Sequence, residues 1–377
     1  SENHFRRHEL DDKLSSDYLD NLIKILDPNR FYFTKQEVDD FNQYRYSFDD
    51  SFNKGDLSPA SNIISQYLNN SIARLQRNIT LLSETEDNFD YSINESFDVD
   101  FDNKIWAETA PELNEVWRKR LKSNVLSFIL DGSTQAEAKQ KVIKRYNTQL
   151  KRLSQQDTTE LFEILMNALT ELYDPHTTYF APRTSESFNI SMSLSLEGIG
   201  AVLQIDDGYT KVVRIITAGP ADKQGELKPA DRIIAVAQGK DDFVDVVDWQ
   251  LDDVVDLIRG PKDTTVRLKV LSSTEVDSTA SKLIQIRREK VKLEEQSAQK
   301  GILELSDAKN NAYKVGVINI PTFYVDFEAY RRQDPNFKST TRDVFRLLRE
   351  LEEQNIDGLI VDLRNNGGGS LQEAAML

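Results

Sequence analysis

Residues Gly358-Leu359-Ile360-Val361-Asp362-Leu363-Arg364-Asn365-Asn366-Gly367-Gly368-Gly369-Ser370, followed by Leu371-Gln372-Glu373-Ala374-Ala375-Met376-Leu377, decide how this chain is read. An apolar run, a triple glycine and a good helix start predict a buried strand that turns sharply into a helix. That is the point at which an α/β enzyme exposes backbone amides to a ligand. Three chemistries compete for the glycines. A P-loop needs Lys and then Ser or Thr after its last glycine, whereas Gly369 is followed by Ser370 and Leu371. A dinucleotide fingerprint wants Gly or Ala where Gln372 stands. An oxyanion hole needs only glycines that bring N–H groups to a developing tetrahedral oxyanion, a contribution of roughly 3 to 4 kcal/mol per donor. Ser370 lacks the Gly-x-Ser-x-Gly setting of a nucleophile elbow and reads as a helix N-cap.

Upstream of this stretch lies the apolar segment Val315-Gly316-Val317-Ile318-Asn319-Ile320-Pro321, then Thr322-Phe323-Tyr324, then a helix carrying Val344, Leu347, Leu348 and Leu351. Strand, helix and strand in this order make a βαβ unit, so parallel neighbouring strands in a doubly covered sheet are expected. Lys292 to Asn311 is charged and turn-rich, and reads as a connector.

From Ser187 to Val291 the pattern is one of short strands. Ile190 to Leu196 alternates apolar and polar. Glu197-Gly198-Ile199-Gly200 makes a tight loop, and Ala201-Val202-Leu203-Gln204-Ile205 resumes as a strand. Asp206-Asp207-Gly208-Tyr209 is a hairpin turn. Gly219-Pro220-Ala221 opens a short helical turn, Ile233 to Val236 is a strand, and Asp248 is expected to cap a helix through Val254 and Ile258 that ends at Gly260-Pro261. Strands at Thr265 to Leu271 and Leu283 to Arg288 close the segment.

The first 180 or so residues read as helices. Leu10, Leu14, Tyr18, Leu22 and Leu26 repeat every fourth position, Thr34 with Glu37 and Thr134 with Glu137 are capping boxes, and Asp157 opens a further helix. Residues 83 to 102, rich in Asp, Glu, Asn and Ser, read as a solvated connector. In Asp174-Pro175-His176-Thr177, the Asp-Pro pair is a helix-stopping turn and His176 reads as structural.

Composition narrows the function. The 377 residues carry 63 acidic and 47 basic side chains, a formal charge of -16, which repels nucleic acid and anionic membrane. There is no cysteine, so disulfides and thiolate metal sites are excluded. No apolar run approaches the roughly 18 residues of a membrane span. The chain starts at Ser1-Glu2-Asn3-His4 with neither Met nor an apolar leader, which leads to the expectation of a processed or truncated N-terminus.

The Gly198-Ile199-Gly200-Ala201 loop, Gly219-Pro220-Ala221 and Asp231-Arg232-Ile233-Ile234 resemble, in this order, a bacterial PDZ domain. One departure is Ala230, where that pattern usually has glycine; the competing reading is a small β-sandwich without a ligand. With Asp174-Pro175-His176-Thr177 and Tyr179-Phe180 before them, and Ile320-Pro321-Thr322-Phe323-Tyr324 and Asp362 to Gly369 after them, the motifs resemble the C-terminal processing serine peptidases, in their tail-specific branch.

The resemblance implies a multidomain α+β protein: an all-α helical domain over residues 1–186, a PDZ domain with two helices over 187–291, and the first part of an α/β protease core with parallel strands over 292–377. It implies a periplasmic serine endopeptidase with a Ser-Lys dyad and no cofactor. Its PDZ domain would bind apolar protein C-termini at Gly198, Ile199, Gly200, Ala201, Val202 and Leu203, with Val254 and Ile258 as groove walls. Gly368 and Gly369 match the oxyanion region. A helical-repeat lipoprotein adaptor is an implied partner; nucleic acid is not. The family's Ser and Lys segments are not among these residues, so the expectation is an N-terminal fragment that binds peptide without cleaving it. A complete, non-catalytic PDZ adaptor is the alternative.

Overall fold

The computed structural model describes residues 4–6, 8–84, 89–96, 105–272, 281–306 and 310–377. The chain divides into two compact units, Ser1–Ala181 and Pro182–Leu377.

The first unit is helical: α1 (Asp12–Leu26), α2 (Lys35–Asp40), α3 (Phe48–Lys54), α4 (Ser58–Glu84), α5 (Ala110–Leu130), α6 (Gln135–Ser154) and α7 (Thr158–Thr170). Local chemistry starts these helices where the sequence says. Both capping boxes form, and Asp157 accepts from the N–H groups of Thr159 and Glu160. One apolar core gathers Tyr18, Leu22, Phe33, Phe48 and Ile63; a second gathers Phe31, Leu75, Trp117, Leu121 and Val142. Leu10 stays outside the first, because Asp11 caps α1 after it.

The expected connector at 83–102 is only partly solvated. Its residues 85–88 and 97–102 lie outside the described residues, but Phe89 is buried and Glu95 bridges Arg118 and Lys122. Hydrogen bonds from Arg118, then Lys122, pull the Glu95 carboxyl down to about 2. At the end of the unit Asp174 organises its turn, accepting from the His176 N–H (2.7 Å), the Thr177 hydroxyl (2.5 Å) and the His4 ring (2.6 Å).

The second unit begins with α8 (Pro182–Ser193), where alternation from Ile190 to Leu196 had predicted a strand. A seven-residue window cannot separate the two periods. Leu194, at φ 48°, ends the helix and turns the chain into β1 (Ser195–Gly198). There follow β2 (Ala201–Asp206), β3 (Tyr209–Ile215), α9 (Pro220–Gln224), β4 (Arg232–Gln238), β5 (Val244–Asp245), α10 (Leu251–Ile258), β6 (Thr265–Leu271), β7 (Lys282–Arg287) and β8 (Glu289–Lys292).

The main sheet runs β2-β3-β4-β6-β7 with β5 on β4, and β1 pairs antiparallel with β8. The hairpin turn is as read, with Asp207 and Gly208 both at positive φ. Ala230, at φ 71°, holds a conformation that glycine adopts without strain. Asp248 does not cap α10. Its own φ is 67°, its N–H donates to the Gly208 carbonyl, and Gln250 occupies the cap position.

The last segment holds β9 (Gln299–Ser306), β10 (Ala312–Asn319), α11 (Phe327–Arg331), α12 (Thr340–Glu352), β11 (Gly358–Asp362) and α13 (Leu371–Met376). β10 and β11 are parallel, in the register Val315↔Gly358 to Asn319↔Asp362. Two expectations change here. The connector at 292–311 contains β9, which gains its backbone partners from β10, while 307–309 lie outside the described residues. α12 covers β10, burying Ile318 against Val344, Leu347 and Leu351, whereas in β11 Leu359, Ile360 and Val361, which alternate between the two faces, are each more than 40% exposed, so the double cover expected of the sheet is not seen among the described residues.

Candidate functional site

Two glycine loops in the second unit carry the candidate chemistry. The first joins β1 to β2. Ile199 is buried as its anchor, and Gly200 takes φ 74° against Gly219, whose Cα would stand 3.3 Å from an added Cβ. The Ile199 carbonyl accepts from Ala221 at 2.8 Å and the Gly200 carbonyl from Ile216 at 2.9 Å, so both point into the fold. The N–H groups of Ile199 and Gly200 donate to nothing among the described residues. Successive open amides on a tight turn form a small anion nest. Gly198 has no positive φ and sits behind the loop, packed on Leu196 and Arg259.

β2 is an edge strand, so beyond Ala201, Val202 and Leu203 one rim of the sheet lacks a strand partner. α10 faces that rim across a cavity of about 340 Å³ whose walls include Leu203, Leu251, Val255 and Ile258. Val254 faces away: it is fully buried in the core with Val212 and Val236, and Val255 takes the groove position. The two neighbours are 100° apart around the helix, and only packing decides which looks inward.

Two further groups shape the groove without any local sequence signal. Arg183 of α8 pairs with Asp253 (2.8 Å) and Asp256 (2.7 Å) of α10, and Ile190 lines the cavity beside it. Arg288, only 2% exposed, donates to the carbonyls of Ile258 (2.9 Å) and Leu257 (3.1 Å), to Gln238 and to Thr264. It thereby satisfies the last carbonyls of α10 and fixes the loop end of the groove. These pairs span 70 and 30 residues of sequence, beyond any periodicity.

The second loop runs from β11 to α13. Asp362 is gripped by Arg364, whose Nη2 lies 2.7 Å away, and this bond holds its carboxyl down at about 2. The Asn366 side chain donates to the Ile320 carbonyl (2.8 Å) and accepts from the Gly368 N–H (2.7 Å). The Gly368 carbonyl accepts from the Phe323 N–H and the Thr322 hydroxyl, and the Ser370 N–H donates to the Phe323 carbonyl. Of the two glycines matched to the oxyanion region, Gly368 has its amide engaged, and Gly369 has an N–H with no partner among the described residues. Ser370 caps α13, its hydroxyl accepting from Glu373. The buried Glu373 carboxylate then accepts from Thr341, fastening α13 to α12.

Chemically, the first loop can hold a carboxylate beside a strand edge, and the second offers one amide donor on a braced turn. No helix among the described residues is long and apolar enough to cross a membrane.

Sequence comparisons match three family profiles: the tail specific protease N-terminal domain over residues 1–183, the PDZ domain over 187–271 and peptidase family S41 over 314–377. The chain is 35% identical over 378 aligned residues to the tail-specific protease of Haemophilus influenzae, covering 100% of this chain and 51% of that protein. It is 33% identical over 222 residues to the carboxy-terminal processing protease CtpB of Bacillus subtilis, covering 57% and 39% of the two chains. A crystal structure of the PDZ domain of a carboxy-terminal protease from Vibrio cholerae, in complex with peptide, is 49% identical with a TM-score of 0.25, over 26% of this chain and 100% of that one. The chain thus spans about half the length of the first of these relatives and less of the second.

Proposed function

Because the chain belongs to the tail-specific family of C-terminal processing serine proteases, we propose that it recognises apolar protein C-termini for a periplasmic serine endopeptidase. The observation that supports this reading is the pair of open amides at Ile199 and Gly200, set at the start of an edge strand and opposite an apolar helix face. A peptide adds to the sheet beside Ala201 to Leu203, its terminal carboxylate accepts from those amides, and its apolar side chains meet Leu251, Val255 and Ile258. In this reading the three sequence segments are working domains: helical over 1–186, PDZ over 187–291 and protease core over 292–377.

Cleavage in the family reading uses a serine whose proton is taken by a desolvated, neutral lysine. Gly369 then offers its N–H to the tetrahedral oxyanion. The serine and lysine segments of the family are not among the 377 residues, so this chain binds and does not cut. A helical-repeat lipoprotein that presents substrates is the partner this reading adds.

Calorimetry with a peptide ending in apolar residues tests the recognition. The free acid should bind at least about tenfold more tightly than its amide, since a charge-assisted hydrogen bond contributes roughly 1.5 to 3 kcal/mol. Equal affinities would refute the carboxylate role of the 198–201 loop. Cleavage of a substrate by this chain, abolished by Ser370→Ala, would refute the catalytic assignment.

A further inference from the structure

The groove is electrically polarised along its length. α10 turns toward it a face that includes Leu251, Asp252, Val255 and Asp256, adjacent rows on one side of a helix, and its C-cap residue Arg259 lines the groove beyond them. The charges on this face have different fates. Asp256 and Asp253 beside it share the single cation of Arg183, which pairs with both. Arg214, across the groove, pairs with Glu295 at 3.0 Å. Asp252 and Arg259 have no ion-pair partner among the described residues.

These two open charges stand at opposite ends. Arg259 abuts the glycine loop, where a Cβ on Gly198 would lie 3.7 Å from its Cγ. Asp252 is two helical turns earlier, about 10 Å along the axis at 1.5 Å per residue.

We infer that this polarity selects among apolar C-termini, favouring those with a lysine or arginine at the second or fourth residue before the last: a strand advances about 3.3 Å per residue, which puts Asp252 about three residues from the carboxylate, and these two positions share the last residue's side of the added strand. The inference rests on reading the groove as a C-terminus site. With the carboxylate at the Ile199 and Gly200 amides, on Arg259's end, a basic side chain at that distance reaches Asp252, and a glutamate there is repelled by it. Asp252 also suits the positive end of α10. That accounts for a negative charge in the first turn, but not for one that lines the cavity with no cation beside it.

The test measures fluorescence anisotropy with the 377-residue chain and labelled peptides that share one apolar free C-terminus. Each peptide carries Lys, Gln or Glu at the second, third or fourth residue before the last. Lysine should bind about three- to tenfold more tightly than glutamate at the second or fourth position, the range expected for exchanging an attraction for a repulsion at a part-exposed site. The preference should shrink in high salt, vanish in Asp252→Asn and reverse in Asp252→Lys. Peptides that bind through their free carboxylate with no preference at either position overturn the inference, as does a preference that survives in Asp252→Asn. Failure of every free-carboxylate peptide to bind overturns instead the reading of the groove itself, and the inference with it.

Discussion

The carbonyl oxygen of Phe323 occupies the space that a side chain at residue 369 would need, and from there it accepts the Ser370 N–H at 2.8 Å. Phe323 and Gly369 also form a parallel backbone bridge. The segment leaving β10 thus braces the loop that follows β11, and the peptide that carries the open Gly369 amide is held by the Phe323 backbone together with the Thr322 hydroxyl. Only glycine fits, both for space and for its φ of 130°.

Gly369→Ala should therefore release this brace. Backbone strain alone costs about 1 to 3 kcal/mol, and the collision with Phe323 adds to it. Gly368→Ala is the control: its φ of 88° is also left-handed, but nothing lies within 4 Å of an added Cβ. Hydrogen exchange read by mass spectrometry should show the Phe323 and Ser370 amides exchanging much faster in Gly369→Ala than in Gly368→Ala. Similar rates in the two variants would contradict the bracing role.

The adjacent valines of α10 should behave oppositely. Val254→Ala, in the core, should cost about 2 kcal/mol of stability while leaving the groove surface unchanged. Val255→Ala should stay within about 0.5 kcal/mol in unfolding experiments, yet weaken an apolar-tailed peptide several-fold in the same titration. The reverse pattern would place Val254, not Val255, against the peptide.

A pH dependence should localise to Asp343. Burial pushes its carboxyl up, but bonds from Lys338 (2.8 Å) and the Tyr324 hydroxyl (2.6 Å) together outweigh it and hold the group below its ordinary value. Burial, and then the Asp343 bond, push the Tyr324 hydroxyl up, so it stays protonated and donating. A carboxyl depressed in the folded state stabilises above its unfolded pKa of about 4, and that contribution is lost as pH falls through the folded value. Asp343→Asn should destabilise the chain by about 1.5 kcal/mol at pH 7, and urea unfolding should show this gap closing as the pH is taken below about 4. A gap of constant size would assign the loss to packing instead.

What the sequence determined alone is chemistry that acts over a few residues. The Thr34–Glu37 and Thr134–Glu137 boxes, the Asp207-Gly208 hairpin turn and the Ser370 cap were all legible, because a hydroxyl reaches a backbone N–H only three residues on and a two-residue turn fixes its own register; that β10 and β11 run parallel followed instead from the strand-helix-strand order, without their register. The order of motifs carried the family as well. What only the tertiary structure decided is direction and partnership across distance. It made Ile190 part of a helix, turned Val255 rather than Val254 to the groove, brought Arg183 onto Asp253 and Asp256, and spent the Gly368 amide on Asn366. Such choices depend on which neighbour removes a surface from water or completes a hydrogen bond. For a side chain 70 residues away, no local pattern records it.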